Sequence, residues 1–210
     1  MRPQMTELTL FHTAEVHRAT FDALAARIAP GARLTHVVRP DWLARAQGGI
    51  GADLADEITT ALAQVPVALC TCTTIGGLAE QAGALRIDAP MMRVAAQSGG
   101  PVLLVCCLES TKAPSTALLE AAFAAEGHAA RIAHLDLSGL WPLFTEGDGD
   151  AFAEAIARRV ESALVAQPDL SAVVLAQASM AGAQARVRAN VPVLASPELA
   201  LRAALERAGT

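Results

Sequence analysis

The chain has 210 residues, 53% of them hydrophobic and 18% charged, a balance that suits a core-rich globular protein and excludes a disordered one. Net charge is −5, the basic residues form no run, and aromatic residues make up 3% with no Tyr, so the basic patches and stacking rings of a nucleic-acid surface are missing. No apolar run approaches the roughly 20 residues that span a bilayer, and the start MRPQMTELTLFHTAEV carries no signal-like apolar stretch. The expectation is a soluble, cytoplasmic protein with neither membrane nor nucleic acid as partner.

In chain order, apolar strand-like runs alternate with Ala-rich helical patterns. LTLFH (8–12) precedes HRATFDALAARIA (17–29), RLTHVV (33–38) leads through a loop to ADLADEITTALAQ (52–64), and VALCTC (67–72) leads to GGLAEQAGAL (76–85). A Pro-bounded break, AAQSGGPV (95–102), follows. The series then restarts with PVLLVCC (101–107), APSTALLEAAFAAEG (113–127), ARIAHLDL (130–137), DAFAEAIARRVESALVAQ (150–167) and AVVLAQ (172–177), and ends on a helix near 197–208. This is the alternation of a mainly parallel sheet with crossover helices.

The second series mirrors the first. RLTHVV lies over RIAHLD (131–136), so His36 matches His134. PDWL (40–43) lies over GLWP (139–142), matching Trp42 with Trp141. DAL (22–24) lies over TAL (116–118), and LCTCTTIGG (69–77) lies over VLAQASMAG (174–182), which sets Gln177 on Cys72. Four matches in order predict an α/β fold of two pseudo-twofold-related lobes. Each has a short, mainly parallel sheet flanked by helices. The lobes run over 1–97 and 98–192, with 193–210 able to return to the first. Ligands of open α/β sheets bind beyond the carboxyl ends of the strands. That places the active site in an interlobe cleft lined by HTAEV (12–16), CTTIGG (72–77), CLEST (107–111) and QASMAG (177–182).

Four cysteines in two close pairs, 70/72 and 106/107, do not form a disulfide framework. With no C-x-x-C, and with His12 and His17 off the i, i+4 spacing, no metal site is expected. Cys72 ends its strand where Thr73 and Thr74 open a helix. Free N–H groups at a helix start attract anions and lower the pKa of a nearby thiol, so the corner suits a carboxylate beside a thiol that moves a proton. Packing is the competing role for Cys72. Cys70, Cys106 and Cys107 read as core. His12 either titrates near neutral pH in the site or hydrogen-bonds the next loop. Thr111 either binds a carboxylate or caps a helix. His17 and His128 read as solvated, and His36 and His134 as sharing one structural role.

VALCTCTTIGG resembles the first cysteine motif of the aspartate/glutamate racemase superfamily, which includes hydantoin racemases, arylmalonate decarboxylase and maleate isomerase. Cys72-Thr73-Thr74 looks like that family's Cys-Asn-Thr. AVVLAQASMAG (172–182) looks like its second motif, Leu-Gly-Cys-Ala-Gly-Met in hydantoin-racemase-like members. The resemblance implies an enzyme without organic cofactor or metal that moves a proton at the carbon beside the carboxylate of a small acid or amino-acid-like substrate. Cys72 would be the acid/base or nucleophile. N–H groups around Thr73, Thr74, Ala178 and Ser179 would hold carboxylate or enediolate oxygens, and His12, Thr13, Thr111 and Gln177 would contact the substrate. Where the family has its second cysteine this chain has Gln177, and an amide is no useful acid or base. Cys106, Cys107 or His12 could stand in as the second acid; the simpler reading is one-sided chemistry: exchange or cis-trans isomerisation by a single thiol, or decarboxylation with protonation from one face. The rival is a catalytically silent ligand-binding protein on the same scaffold. Oligomeric state stays open, a homo-oligomer among the options.

Overall fold

A computed structural model describes residues 7–209; residues 1–6 of the expected first lobe, and residue 210, lie outside the described set. Two four-stranded sheets are present, every pairing in them parallel. The first contains β1 (Glu7–His12), β2 (Arg33–Val38), β3 (Ala68–Cys70) and β4 (Leu85–Arg86), in the order β2-β1-β3-β4. The second contains β5 (Val102–Cys106), β6 (Ile132–Asp136), β7 (Ala172–Leu175) and β8 (Val193–Ala195), in the order β6-β5-β7-β8. The orders are the same, element for element, as the sequence repeat requires. The helices are α1 (Val16–Ile28), α2 (Pro40–Ala46), α3 (Ala52–Ala63), α4 (Thr73–Gln81), α5 (Ala89–Ala96), α6 (Glu109–Ala125), α7 (Trp141–Thr145), α8 (Gly149–Ala166) and α9 (Ser196–Gly209). None of the described helices is long and apolar enough to cross a membrane.

Central strands β5 (VLLVC) and β7 (AVVL) are buried throughout, as parallel strands covered on both faces must be. Edge strands β2 and β6 are more open. Register sets His36 opposite Leu10 and His134 opposite Leu104, the same place in each sheet. The shared role expected for these histidines does not follow. The His36 side chain is 6% exposed, whereas His134 faces solvent. Likewise His128 is exposed, as expected, but His17 is buried on α1.

Each sheet carries its own core. In the first, Phe11, Cys70 and Cys72 pack with Trp42, Ile58 and Ile75 from α2, α3 and α4. Phe11 stacks on Trp42 at 6.1 Å, Arg39 covers the indole at 4.7 Å, and Trp42 Nε1 donates to Glu57 at 3.0 Å. In the second, Val105, Val173 and Leu175 pack with Phe152, Ile156 and Met180. Trp141 meets Phe152 edge-on at 6.4 Å. The matched tryptophans thus anchor the short helix after the edge strand in each unit.

Helix α4 stops at Gln81, four residues before its expected end. Gly83 takes a left-handed φ of +86°, the Ala84 N–H reaches the Ala79 carbonyl at 2.9 Å and the Gly83 N–H reaches the Glu80 carbonyl at 2.9 Å. This is a Schellman cap, and the freed residues form β4. The Arg86 side chain, 6% exposed, lies against the same helix, so a Cβ at Gly76 would meet Arg86 Nε at 3.3 Å, while one at Gly77 would meet nothing closer than 3.9 Å. Gly76→Val should therefore cost about 1–3 kcal/mol, and Gly77→Ala should stabilise by up to about 1 kcal/mol through helix propensity. Urea unfolding of the two variants reads the opposite signs.

Contacts divide the chain into one unit formed by residues up to Ile87 together with those from Pro197, and a second formed by Asp88–Ser196. The expected boundary at 97 thus moves to 87/88. The reason is α5, whose Met91, Met92, Ala95 and Ala96 are fully buried and which packs on α6 and β7. Helix α9 follows β8 but belongs with the first unit, where Glu198 accepts from Arg27 at 2.5 Å and Arg207 donates to the Gly83 carbonyl at 3.1 Å.

Candidate active site

Cys72 is the extended residue (φ −113°, ψ 116°) from which α4 starts. Its sulphur therefore sits beside the first, unpaired N–H groups of that helix. The N–H groups of Thr74 and Ile75, with the hydroxyls of Thr13 and Thr74, favour its thiolate. The Cys72 side chain itself makes no capping hydrogen bond to the helix. Thr73 is buried and Thr74 half-buried at the same corner. Cys72 is only 7% exposed, and burial outweighs these donors, so its pKa is raised. The lowered pKa expected from the helix start is thus corrected: at rest near neutral pH this is a thiol.

Strand alternation separates His12 from Thr13. Side chains on a strand point to opposite faces in turn. Phe11 and Cys70 share the face packed by α2, α3 and α4, and Thr13, two residues beyond Phe11, reaches Cys72 there. His12 points to the α1 face, 5.5 Å from the Phe21 ring and 6.1 Å from the His17 ring. It is fully buried, with Nδ1 2.8 Å from Thr71 Oγ1 and Nε2 2.8 Å from His36 Nδ1. Burial first, then His17, His36 and Arg18, push its pKa down to about 3, and burial lowers His17 to about 4. His12 is therefore no group titrating near neutral pH, and both ring nitrogens are taken by protein partners.

In the second unit Gln177 is likewise the extended residue (φ −119°, ψ 143°) before a turn of helix, but here a 3-10 helix, Ala178–Ala183, replaces the α-helix. Gln177 Oε1 accepts the Cys107 N–H at 2.5 Å, so its carbonyl is committed to the neighbouring strand end. Ala178 is 8% exposed and the Ser179 Oγ is buried with no hydrogen-bond partner among the described residues. Thr111 donates to the Leu108 carbonyl at 2.7 Å, closing the first turn of α6, and its hydroxyl also lies beside Cys106. Burial raises Cys106 to about 11 and Cys107 to about 12.

Of the residues expected in the site, the first unit brings together Thr13, Cys72, Thr73 and Thr74. The second holds Gln177, Ala178 and Ser179, with Thr111 at the start of α6. Missed from sequence were Thr71 and His36, whose side chains meet His12, and Asp22, whose carboxylate meets His36; the alternation of β1 was the signal that could have found the first two. Among the described residues, no three His, Cys, Asp or Glu side chains converge as a metal-ligand set. Because Cys72 has two backbone N–H donors beside its sulphur, and burial raises Cys106 and Cys107 to about 11 and about 12, iodoacetamide should modify Cys72 before Cys70, Cys106 and Cys107. Peptide mass spectrometry over a time course gives the order, and earlier modification of Cys106 would move the reactive thiol to the second unit.

No family model and no curated protein sequence matches the chain. Solved structures do. The chain is similar to glutamate racemase from Francisella tularensis, solved with D-glutamate (TM-score 0.68, 12% identity, covering 94% of this chain and 78% of that one). It is similar to aspartate racemase from Picrophilus torridus (0.67, 14%, 97% and 94%). It is also similar to allantoin racemase from Klebsiella pneumoniae (0.61, 19%, 96% and 86%). At such identities the likeness is one of backbone architecture, and on that ground the chain has the fold of the aspartate/glutamate racemase superfamily.

Proposed function

We propose that the protein is an isomerase-like enzyme of the racemase type that moves a proton at the carbon beside the carboxylate of a small acid, with Cys72 as the single thiol acid/base. The observation that carries this reading is the setting of Cys72: a neutral thiol at a helix start, ringed by the Thr13 and Thr74 hydroxyls and the Thr74 and Ile75 N–H groups. Those donors stabilise negative charge, whether it forms on the sulphur or on the oxygens of an enediolate beside it. A raised thiol pKa makes the protonated form dominant, which suits delivery of a proton to a carbanion. Removal of a proton from carbon runs through the minor thiolate, which the same donors support.

Gln177 bears on the stereochemistry. Its amide exchanges no proton at a useful rate, and its carbonyl is held by Cys107. A site with one thiol exchanges the α-hydrogen with retention, or protonates one face of a carbanion left by loss of carbon dioxide. Incubation in D2O with small dicarboxylates, hydantoins and amino acids should give deuterium at the α-carbon of one enantiomer with its configuration kept, read by proton NMR and chiral chromatography. Equal inversion of both enantiomers would count against the one-thiol reading.

A second reading is favoured by the same Gln177: a ligand-binding protein that has lost catalysis. It predicts that compounds from that panel raise the melting temperature while none exchanges its α-hydrogen or releases carbon dioxide.

A further inference from the structure

An unbroken run of side chains leads from the surface of the first unit to the β3–α4 corner. Asp22 Oδ1, on α1 with its side chain 63% exposed, lies 3.1 Å from His36 Nε2. His36 Nδ1 lies 2.8 Å from His12 Nε2, and His12 Nδ1 lies 2.8 Å from Thr71 Oγ1. That hydroxyl is in turn 3.1 Å from the Phe11 carbonyl. Between Asp22 and Phe11 the run is buried: His36, His12 and Thr71 have side chains or residues less than a tenth exposed.

Donor and acceptor counting allows two arrangements. In the first, both rings are neutral. Thr71 donates to His12 Nδ1, His12 Nε2–H donates to His36 Nδ1, and His36 Nε2–H donates to Asp22. In the second, the run has taken up one proton from solvent. His36 is an imidazolium donating to both Asp22 and His12 Nε2, His12 carries its hydrogen on Nδ1 and donates to Thr71, and Thr71 turns its hydroxyl to Phe11. The two inner bonds reverse, and the Phe11 carbonyl, which already accepts the Thr71 N–H at 2.9 Å, gains a second bond from the same residue. The charge stays at His36. It has the carboxylate, whereas His12 is faced by His17 and Arg18 from α1 as well as by His36, and is held neutral down to about pH 3.

The inner end of the run adjoins the candidate reacting pair. Thr71 and His12 immediately precede Cys72 and Thr13. The two pairs make adjacent rungs between the ends of β1 and β3, His12–Thr71 on one face and Thr13–Cys72 on the other. We infer that Asp22, His36 and His12 are positioning residues for Cys72, the protonation state at Asp22–His36 setting the Thr71 hydroxyl and, through it, the strand end that presents the thiol. The inference rests on reading Cys72 as the reacting group.

The test follows the pH dependence of the Cys72 backbone amide by NMR and of Cys72 alkylation by mass spectrometry, alongside the His36 ring carbons, from about pH 5 to 8. The Cys72 amide should titrate with the His36 midpoint. Asp22→Asn, a surface change, alters the partner of His36 Nε2 and leaves the inner run in place, so the His36 and Cys72 inflections should move together. His36→Gln can accept from His12 and donate to Asp22 without titrating, so it should keep the fold and erase that inflection, leaving alkylation to follow the thiolate fraction alone. A flat Cys72 amide across the His36 titration overturns the inference. So does an inflection that survives in His36→Gln, or a His36 that keeps one protonation state throughout. Neither readout needs a substrate: absence of turnover would count against the chemistry assigned to Cys72 while leaving this coupling to stand or fall by itself.

Discussion

Cys72→Ser should lower α-hydrogen exchange or carbon dioxide release by about 10²–10⁴-fold, the range typical of a lost acid/base group, while the cooperative melt survives. The substitution keeps a small side chain at the start of α4, within a core formed by Phe11, Ile75 and Ala79. A serine hydroxyl in place of the thiol accepts the same N–H and O–H donors but gives up and takes a proton far less readily. Fold and chemistry are therefore separated by one atom. The check pairs turnover by NMR with circular dichroism during heating. Loss of the melt would mean that the sulphur is chiefly packing, and unchanged turnover would move the chemistry to another residue.

Acid should destabilise this protein earlier than its carboxylates alone would. His12 and His17 have pKa values of about 3 and about 4 in the folded chain, against 6.5 for an unperturbed ring. Between those limits the unfolded state binds more protons than the folded one, so stability rises with pH. Their contribution is intact above the unfolded value and is lost as pH falls from about 6.5 towards 3–4. One pKa unit is about 1.4 kcal/mol, so the two rings together withdraw several kcal/mol, a large part of an ordinary domain's stability. The carboxyl groups held low by partners, among them Asp41, Asp136 and Glu198, respond only once pH drops below their ordinary values of 3.8 or 4.5. The histidine loss thus opens first. Urea midpoints measured at intervals from about pH 7.5 to 4.5 should hold down to about 6.5 and fall from there, and His17→Gln should flatten that fall. A level profile down to the carboxylate range would show that the rings are protonated in the folded chain.

How much of this was legible in the sequence depended on the length of the signal. The strand-like runs at β1, β2, β5 and β6, with the histidines matched on β2 and β6, carried the two mainly parallel sheets but not their strand order, because parallel pairing needs a crossover helix between strands and the helices were plain. Strands β4 and β8, of two and three residues, are too short to show a period of their own. Cys72 was recognisable at its corner, but its pKa was not. A helix start lowers a thiol and burial raises it, and which dominates depends on packing that residue spacing does not reveal. The two roles open to His12 are decided by the face of its strand, which turns it away from Thr13 and towards α1, and not by its place at the strand end. From sequence α1 mixes polar and apolar residues and His17 looks solvated; in the fold it is buried, its ring 6.1 Å from that of His12.

The attachment of α9 to the first unit has a consequence for how the chain is made. Emerging domains ordinarily fold from the N-terminal side as the ribosome delivers them. Here the second unit, Asp88–Ser196, has all its residues before the first does, because the first lacks its last helix until translation passes Pro197. Ala200, Leu201 and Ala204, all buried in the finished fold, are made only after the whole of the second unit. Until then the earlier-made sheet has all four strands but not this helix, and Arg27 lacks Glu198. The second unit can thus be complete on the ribosome before the first, although most of the first is made earlier.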